Sequence, residues 1–259
     1  MDIIACIKRV PDTTGADRIA IDASGRDIER RLVAFKINDW DEYVLEAGVQ
    51  LKEGLGGSLT ALTVGSQEWE DILRRALAMG ADAAVRVDED VVDADPRTVA
   101  AILSSAIGRL SYDLVLFGAQ SEDFGCGQLG VMVAEMLGIP HAALVVDIQA
   151  EDGWAKVSRE LEAGLLETYR MRLPALLTVQ TGINRPRYIS LGGIRRAMRR
   201  ELQVTSLGEL GLSGEALAPV VRLERMELPP KGKEAVLISG SPEEAADHLT
   251  RILQDSGVL

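Results

Sequence analysis

The chain has 259 residues, of which 47% are hydrophobic and 26% are charged, a composition that suits one large α/β domain or two small ones. Its formal net charge of −12 argues against general nucleic-acid binding, which requires a basic face. Because the two cysteines lie far apart in the sequence, a disulfide framework is excluded and a reducing, cytoplasmic location is expected.

The N-terminal stretch predicts a buried first strand over residues 3–7. The acid at position 2 and the short apolar run favour a strand over a signal peptide. No run approaches the roughly 20 apolar residues of a membrane span, so direct membrane insertion is not expected. Lys8 and Arg9 follow the strand directly, where they could hold a phosphate or a carboxylate; the alternative is that they pair with nearby acids.

A β-α-β unit comes next. Apolar residues repeat with helical spacing over residues 40–51, and Asn38 or Asp39 is a suitable N-cap for that helix. Capping is therefore the simplest interpretation of Asn38. The acidic stretch 88–95 is interpreted as a solvated loop, because its spacing matches no calcium-binding pattern. The elements predicted here are a strand over 58–64, a helix over 68–79, a strand over 83–87 and a helix over 96–110.

The stretch over residues 113–130 contains the strongest candidate site. An apolar strand over 114–117 breaks at Gly118 into a glycine-rich polar loop, and a helix is predicted over 128–137. Strand, glycine-rich loop and helix in this order point backbone N–H groups at the space above the strand's carboxyl end. A helix N-terminus at that place favours an anion such as phosphate. We therefore predict a nucleotide site at this loop.

The second half of the chain changes pattern. A strand is predicted over 142–148, an antiparallel hairpin over 154–161 and 165–172, and a further buried strand over 174–179, where the residues of the sheet core are expected to end. The whole pattern predicts an α/β fold with a doubly wound, mostly parallel, Rossmann-like sheet of a nucleotide-binding type (the resemblance described below implies the adenine-nucleotide-binding type), with an antiparallel hairpin and a C-terminal arm plus helix.

Six arginines and no acid fall within residues 185–200. This concentration predicts a surface that attracts an acidic partner; the alternative is that the arginines pair with acids elsewhere in their own domain. Residues 201–235 show little pattern and predict an extended arm that needs a partner surface, and residues 242–255 predict an amphipathic final helix. We divide the chain into a nucleotide-binding domain over 1–200, which includes a recognition loop over 182–200, and an arm with a helix over 201–259.

Catalytic and metal-binding motifs are not found in the sequence. His141 and His248 stand without cysteines or acids at ligand spacing, so no metal site is predicted. No nucleophile elbow, Walker A or G-x-G-x-x-G motif occurs. Ser121 lacks a neighbouring base, and Cys126 is interpreted as a small residue that permits close ligand approach. We therefore predict a binding and docking module rather than an enzyme.

Five stretches together resemble the β subunit of electron transfer flavoproteins across nearly the whole chain. They cover residues 7–12, 37–43, 77–82, 118–130 and 184–191. The resemblance implies a heterodimer with an α subunit that carries most of the redox FAD site. It implies electron transfer from a flavin dehydrogenase, such as an acyl-CoA dehydrogenase, to a quinone-linked oxidoreductase. In a eukaryote it would place the protein in the mitochondrial matrix.

The resemblance also implies an adenine nucleotide in this subunit: AMP in ordinary members, or a second FAD in electron-bifurcating members that use NADH. A stand-alone nucleotide-binding protein is the third alternative. Phosphate would meet backbone N–H groups near residues 125–130, and Gly125 stands where many members carry an acid. The implied cofactor-binding residues are Cys6, Lys8, Asn38, Val64, Gly118, Gln120, Ser121, Asp123, Gly125, Cys126, Gly127, Gln128, Leu129 and Gly130.

A docking site is implied as well. Leu191 stands where the family has a leucine that enters a hydrophobic pocket on the dehydrogenase, and an apolar anchor beside a basic helix is how an interface hot spot would be built. Tyr188, Arg195 and Arg196 are the other implied docking residues. Residues 201–259 would pack on the α subunit.

Overall fold

The computed structural model describes residues 1–14, 19–91, 94–213, 217–230 and 235–259. The chain divides into two compact units, Met1–Met226 and Glu227–Leu259. The first unit contains the sheet and its flanking helices. The predicted functional division at residue 200 stays a prediction. No helix formed by the described residues is both long and apolar enough to cross a membrane.

The secondary structure follows the predicted alternation closely. The strands are β1 (Asp2–Cys6), β2 (Arg9–Pro11), β3 (Phe35–Ile37), β4 (Ser58–Val64), β5 (Ala83–Asp88), β6 (Leu114–Gly118), β7 (His141–Glu151), β8 (Trp154–Glu160), β9 (Leu166–Arg172), β10 (Ala175–Val179) and β11 (Gln203–Ser206). The helices are α1 (Asp39–Leu55), α2 (Glu70–Met79), α3 (Pro96–Ile107), α4 (Leu129–Leu137), α5 (Leu191–Ala197), α6 (Leu207–Leu210) and α7 (Pro242–Asp255).

The main sheet of the described residues has nine strands in the order β11-β5-β4-β1-β6-β10-β7-β8-β9. From β1 the chain adds β4 and β5 on one side, then crosses to add β6 and β10 on the other, all of them parallel. Strands β8 and β9 run antiparallel at the far edge. The predicted doubly wound α/β fold and its antiparallel hairpin are therefore confirmed.

Residues 203–206, in the segment predicted as an extended arm, form an edge strand of the main sheet. Strand β11 pairs in parallel with β5, from Gln203 beside Val85 to Ser206 beside Asp88. Three of its four residues are exposed. An edge strand this short and this exposed has neither a buried run nor a clear alternation, so its pattern resembles that of an irregular arm.

Residues on the central strands alternate between two apolar layers. Ile3 and Ala5 of β1 pack on the side covered by α1, α2 and α5. Ile4 and Cys6 pack on the opposite side with α3, α4 and α6. Helices on both faces bury most residues of β1, β4 and β6, which explains why these strands are largely apolar runs.

Asp95 fixes the segment that follows α6 to the first unit. Its carboxylate accepts hydrogen bonds from the backbone N–H of Thr98 at 2.8 Å, of Val220 at 2.7 Å and of Val221 at 3.0 Å. Burial alone would raise the pKa of Asp95, but these N–H donors and the Thr98 hydroxyl lower it to about 2. Asp95 thus caps the N-terminus of α3 and also holds the backbone of residues 220–221 against that helix.

The second unit contains the predicted final helix, which is confirmed as α7. Ser241 and Glu244 form a reciprocal capping box at its start, and Pro242 occupies its first turn. Leu249 and Ile252, on the predicted apolar face, are exposed. A helix that leaves its apolar face exposed has a surface available for a partner.

Candidate functional site

The candidate site lies where β1 and β6 end. These two strands are neighbours, paired from Ile3 beside Leu114 onward, and both carboxyl ends lie at the same edge of the sheet. The strand order reverses direction between them, because β4 and β5 lie on one side and β10 on the other. Ligands of open α/β sheets bind outside the strand ends at this kind of switch point.

Lys8 joins the end of β1 to the glycine-rich loop after β6. Its ammonium nitrogen lies 2.6 Å from Asp123 Oδ2 and 3.5 Å from Ser121 Oγ, and 4.6 Å from the centroid of the Phe124 ring. Arg9 is directed elsewhere: it donates to Asp71 at 2.9 Å. Both cations therefore pair with acids, and of the two only Lys8 contacts the loop.

Asn38 occupies the N-cap position of α1, but the expectation that its side chain caps the helix is wrong. The amide instead spans the gap to the loop. Its Nδ2 donates to the Gln120 carbonyl at 2.9 Å, and its Oδ1 accepts from the Glu122 N–H at 3.0 Å. Asn38 is buried. These two bonds satisfy backbone groups of the loop and hold its first residues against α1.

Asp41 is a buried residue of the site that was not singled out from the sequence. Its Oδ2 accepts the Lys8 backbone N–H at 2.8 Å, and it also accepts the Gly118 N–H. Burial raises the pKa of this carboxyl to about 7, and hydrogen bonds from Lys8, Asn38 and Gly118 offset that rise only in part. Asp41 thus ties the ends of both central strands together.

Gly118 is required by this arrangement. A Cβ at this position would lie 2.3 Å from Asp41 Oδ1 and 2.7 Å from Trp40 Cβ. Both distances are too short for real contacts, so any side chain would push α1 away from the end of β6. A similar close approach occurs at Gly130, where a Cβ would lie 2.6 Å from Thr178 Cγ2.

Helix α4 begins at Leu129 without a side-chain cap. Gln128, at the N-cap position, makes no capping hydrogen bond, and the first turn contains no acid. Gly125 and Gly127 adopt left-handed backbone angles, with φ of 61° and 62°. The N–H groups of the first turn are therefore left for an anion, and the exposed glycine-rich loop lets a ligand approach them.

Cys6 and Val64 belong to the apolar layer beneath the site, and each is 4% exposed. Burial, together with the nearby Asp41 charge, raises the pKa of the Cys6 thiol well above its usual value, so Cys6 is not a nucleophile. Cys126 is exposed, and its thiol donates to the Phe124 carbonyl at 3.5 Å. The side chains of Gln120 and Gln128 are exposed on the loop.

The donor set fits a phosphate-bearing ligand. Backbone N–H groups, one lysine and an apolar floor are what a nucleotide site of this fold uses, and no acid occupies the first turn of α4. The Lys8–Asp123 pair is the one feature that opposes it, because Asp123 neutralises part of the lysine charge. Twelve of the fourteen predicted cofactor-binding residues belong to the ends of β1 and β6, to the loop or to the start of α4; Val64 ends the neighbouring strand β4, and Asn38 is the N-cap residue of α1.

The predicted docking residues lie outside this site, on α5 and the segment before it. Leu191 is the first residue of α5 rather than part of a free loop, because Ser190 Oγ accepts the Gly193 N–H at 3.0 Å and caps the helix. Leu191 is 76% exposed and Tyr188 is 93% exposed. With Ile194 and Met198, which are also exposed, they form what we call the docking surface.

Arg187 anchors the segment that carries this surface. Its guanidinium donates to the buried Glu46 at 2.9 and 3.1 Å and to Glu53 at 2.8 and 3.0 Å. Asn184 donates to the Tyr43 carbonyl at 2.9 Å. The basic segment is therefore divided. Arg187 pairs with acids of its own domain, whereas Arg195, Arg196 and Arg199 make no ion pair within the described part of the chain.

These features define an α/β protein with a doubly wound, Rossmann-like sheet and a candidate phosphate site at its switch point. A family model described as "Electron transfer flavoprotein domain" matches residues 28–209. The chain is 36% identical to the electron transfer flavoprotein subunit beta of Methylophilus methylotrophus over 239 residues, which cover 89% of this chain and 90% of the relative. The chain therefore belongs to the electron transfer flavoprotein family and resembles its β subunits throughout.

Two further relatives support this assignment over the full length. The chain is 35% identical over 256 residues to the electron transfer flavoprotein subunit beta of Bacillus subtilis, covering 98% of both chains. It is 33% identical over 266 residues to the "Caffeyl-CoA reductase-Etf complex subunit CarD" of Acetobacterium woodii, covering 100% of both. The predicted family membership is confirmed.

Proposed function

We propose that this chain is the non-catalytic β subunit of a heterodimeric electron carrier, and that it holds a structural AMP. An α subunit would carry most of the FAD site, and FAD when bound would supply the redox chemistry. Electrons would come from a flavin dehydrogenase of the acyl-CoA type and pass to a quinone-linked oxidoreductase. The observation that carries the proposal is the uncapped start of α4, at the end of a glycine-rich loop that Lys8 contacts, at the switch point of a sheet in this family.

The residues have separate roles in holding AMP. Backbone N–H groups near residues 125–130 would bind the phosphate, with Lys8 adding positive charge. Asn38 and Asp41 would keep the loop and the strand ends in place. Cys6 and Val64 would provide the apolar floor beneath the ligand.

A second FAD in place of AMP is the alternative. The relative from Acetobacterium woodii is named as a subunit of a reductase complex, and its identity to this chain is 33%, compared with 35% for the β subunit from Bacillus subtilis. A stand-alone protein is less well supported. Exposed apolar residues in the C-terminal part, among them Val236, Leu237 and Leu249, need a second subunit to cover them.

Leu191→Ala is expected to slow electron transfer from the dehydrogenase by about tenfold or more, because a central, exposed apolar anchor contributes strongly to docking. Stopped-flow reduction of the heterodimer by its dehydrogenase measures the effect. Leu55→Ala is the matched control, since Leu55 is an exposed leucine at the end of α1 and is not one of the residues of the docking surface. Bound nucleotide should be unchanged in both variants; loss of nucleotide with Leu191→Ala would show that the docking role is misassigned.

A further inference from the structure

A cavity of about 390 Å³ lies beside the docking surface. Residues 77–80, at the end of α2, form one wall, and α5 with the segment before it forms the other. The exposed Tyr188 also lines the cavity, which is open to solvent, so a small ligand can enter it without a change in the fold. Neither the resemblance nor the comparisons give this cavity a role.

Arginines are the charged residues of its lining: Arg187, Arg196 and Arg200. Arg187 is occupied by Glu46 and Glu53. The other two have unused hydrogen-bonding capacity. Arg200 donates to one backbone carbonyl, that of Asp82, and the Arg196 side chain has no hydrogen bond or ion pair within the residues that the structure describes.

Asp82, whose backbone carbonyl accepts from Arg200, has its carboxylate engaged with other groups. The Asp82 carboxylate accepts from Lys52 Nζ at 3.0 Å and from the Leu59 N–H at 2.9 Å. Among the described residues, no carboxylate forms an ion pair with Arg196 or Arg200, so the positive charge of both remains available to a ligand. A guanidinium has five N–H donors in a planar fork that matches the oxygens of phosphate or carboxylate.

The cavity has firmly held walls. Gly193 is buried against α2, where an added Cβ would lie 3.0 Å from the Ala78 carbonyl oxygen. Arg74 donates to the Ala197 carbonyl at 2.9 Å, which holds the end of α5 on α2. A site between two elements in backbone contact can present its cations in a fixed geometry, and this preorganisation strengthens the binding of an anion.

We propose that this cavity binds a small oxyanion of the phosphate type on Arg196 and Arg200. Such a ligand would neutralise positive charge immediately beside Leu191. It would therefore weaken the attraction of the docking surface for an acidic partner and tune electron transfer without touching the nucleotide. The regulatory consequence rests on the proposed docking function, whereas the binding itself does not.

Calorimetric titration of inorganic phosphate into the purified heterodimer, at constant ionic strength, tests the proposal. We expect saturable binding that Arg196→Gln weakens by about tenfold or more, in line with the loss of a charge-assisted bidentate contact. Arg200→Gln should weaken it in the same direction. Arg199→Gln is the matched control: Arg199 is exposed, adjacent in sequence and not part of the cavity, so the affinity should stay the same.

Two results would overturn the proposal. One is the absence of any phosphate binding that depends on Arg196. The other is equal weakening by Arg199→Gln, because that would show a diffuse effect of positive charge rather than a site. Phosphate bound at the loop after β6 would persist in all variants, so it cannot imitate the expected difference. Nucleotide content of the same preparations is measured separately, so failure of the proposed function is distinguishable from failure of this site.

Discussion

Arg187→Ala is expected to lower the free energy of unfolding by about 3 kcal/mol, the lower end of the range for breaking a buried ion pair. The substitution removes the two guanidinium hydrogen bonds to the buried Glu46 carboxylate. It leaves that carboxylate with two donors, Gln50 Nε2 at 2.8 Å and the backbone N–H of residue 187 at 3.1 Å. The lower end applies because the Arg187 side chain is 33% exposed and so is partly hydrated. Chemical denaturation followed by circular dichroism measures the change.

Arg185→Ala is the matched control for this experiment. Arg185 lies two residues away, is exposed and makes no ion pair among the described residues, so its removal should change stability by less than about 0.5 kcal/mol. Adding Glu46→Gln to Arg187→Ala should recover part of the loss, because it removes the stranded charge. Equal stability of the two arginine variants would contradict the anchoring role of Arg187.

Asp41→Asn is expected to remove a pH dependence of stability that the native chain shows between about pH 4 and pH 7. The pKa of Asp41 is raised from 3.8 to about 7 in the folded chain, chiefly by burial. In this window the folded state keeps a proton that the unfolded state has lost. Stability is therefore greatest below the unfolded pKa and falls as pH rises to the folded pKa, by up to about 4 kcal/mol in total.

The measurement is the free energy of unfolding from pH 4 to pH 8, compared between the native chain and the variant. Asparagine cannot ionise, so the difference between the two curves should change steadily up to about pH 7 and then level off. Asp39→Asn is the control, because Asp39 is exposed on the same helix and should leave the slope intact. Parallel curves for the native chain and Asp41→Asn would show that Asp41 titrates normally.

The central sheet could be predicted because its strands are buried on both faces and therefore appear as continuous apolar runs. The antiparallel hairpin over β8 and β9 could be predicted from its alternation. Strand β11 could not, because an exposed edge strand of four residues lacks both signals. The position of the nucleotide loop was predictable as well, since strand, glycines and helix are consecutive in the sequence.

Contacts within the site depend on partners far away in the sequence, and there local patterns fail. Asn38 fits a capping pattern, but its side-chain amide forms hydrogen bonds with backbone groups that lie 82 and 84 residues away in the sequence. An acid in the first turn of a helix usually stabilises that helix by interacting with its dipole. Nothing in the local sequence therefore indicates that Asp41 is buried against Gly118. Arg187 and Glu46 are 141 residues apart in the sequence. Local patterns therefore cannot distinguish Arg187, which forms ion pairs, from Arg195, Arg196 and Arg199, which form none among the described residues.

The nucleotide bound by the purified heterodimer tests the central claim most directly. The complex is unfolded, the released nucleotides are separated by chromatography, and AMP and FAD are quantified against the protein. A structural AMP in this subunit and a redox FAD in its partner predict one AMP and one FAD per heterodimer. Two FAD and no AMP would contradict the simple carrier and support a second flavin at the switch point. One FAD with no other nucleotide would contradict the nucleotide site itself.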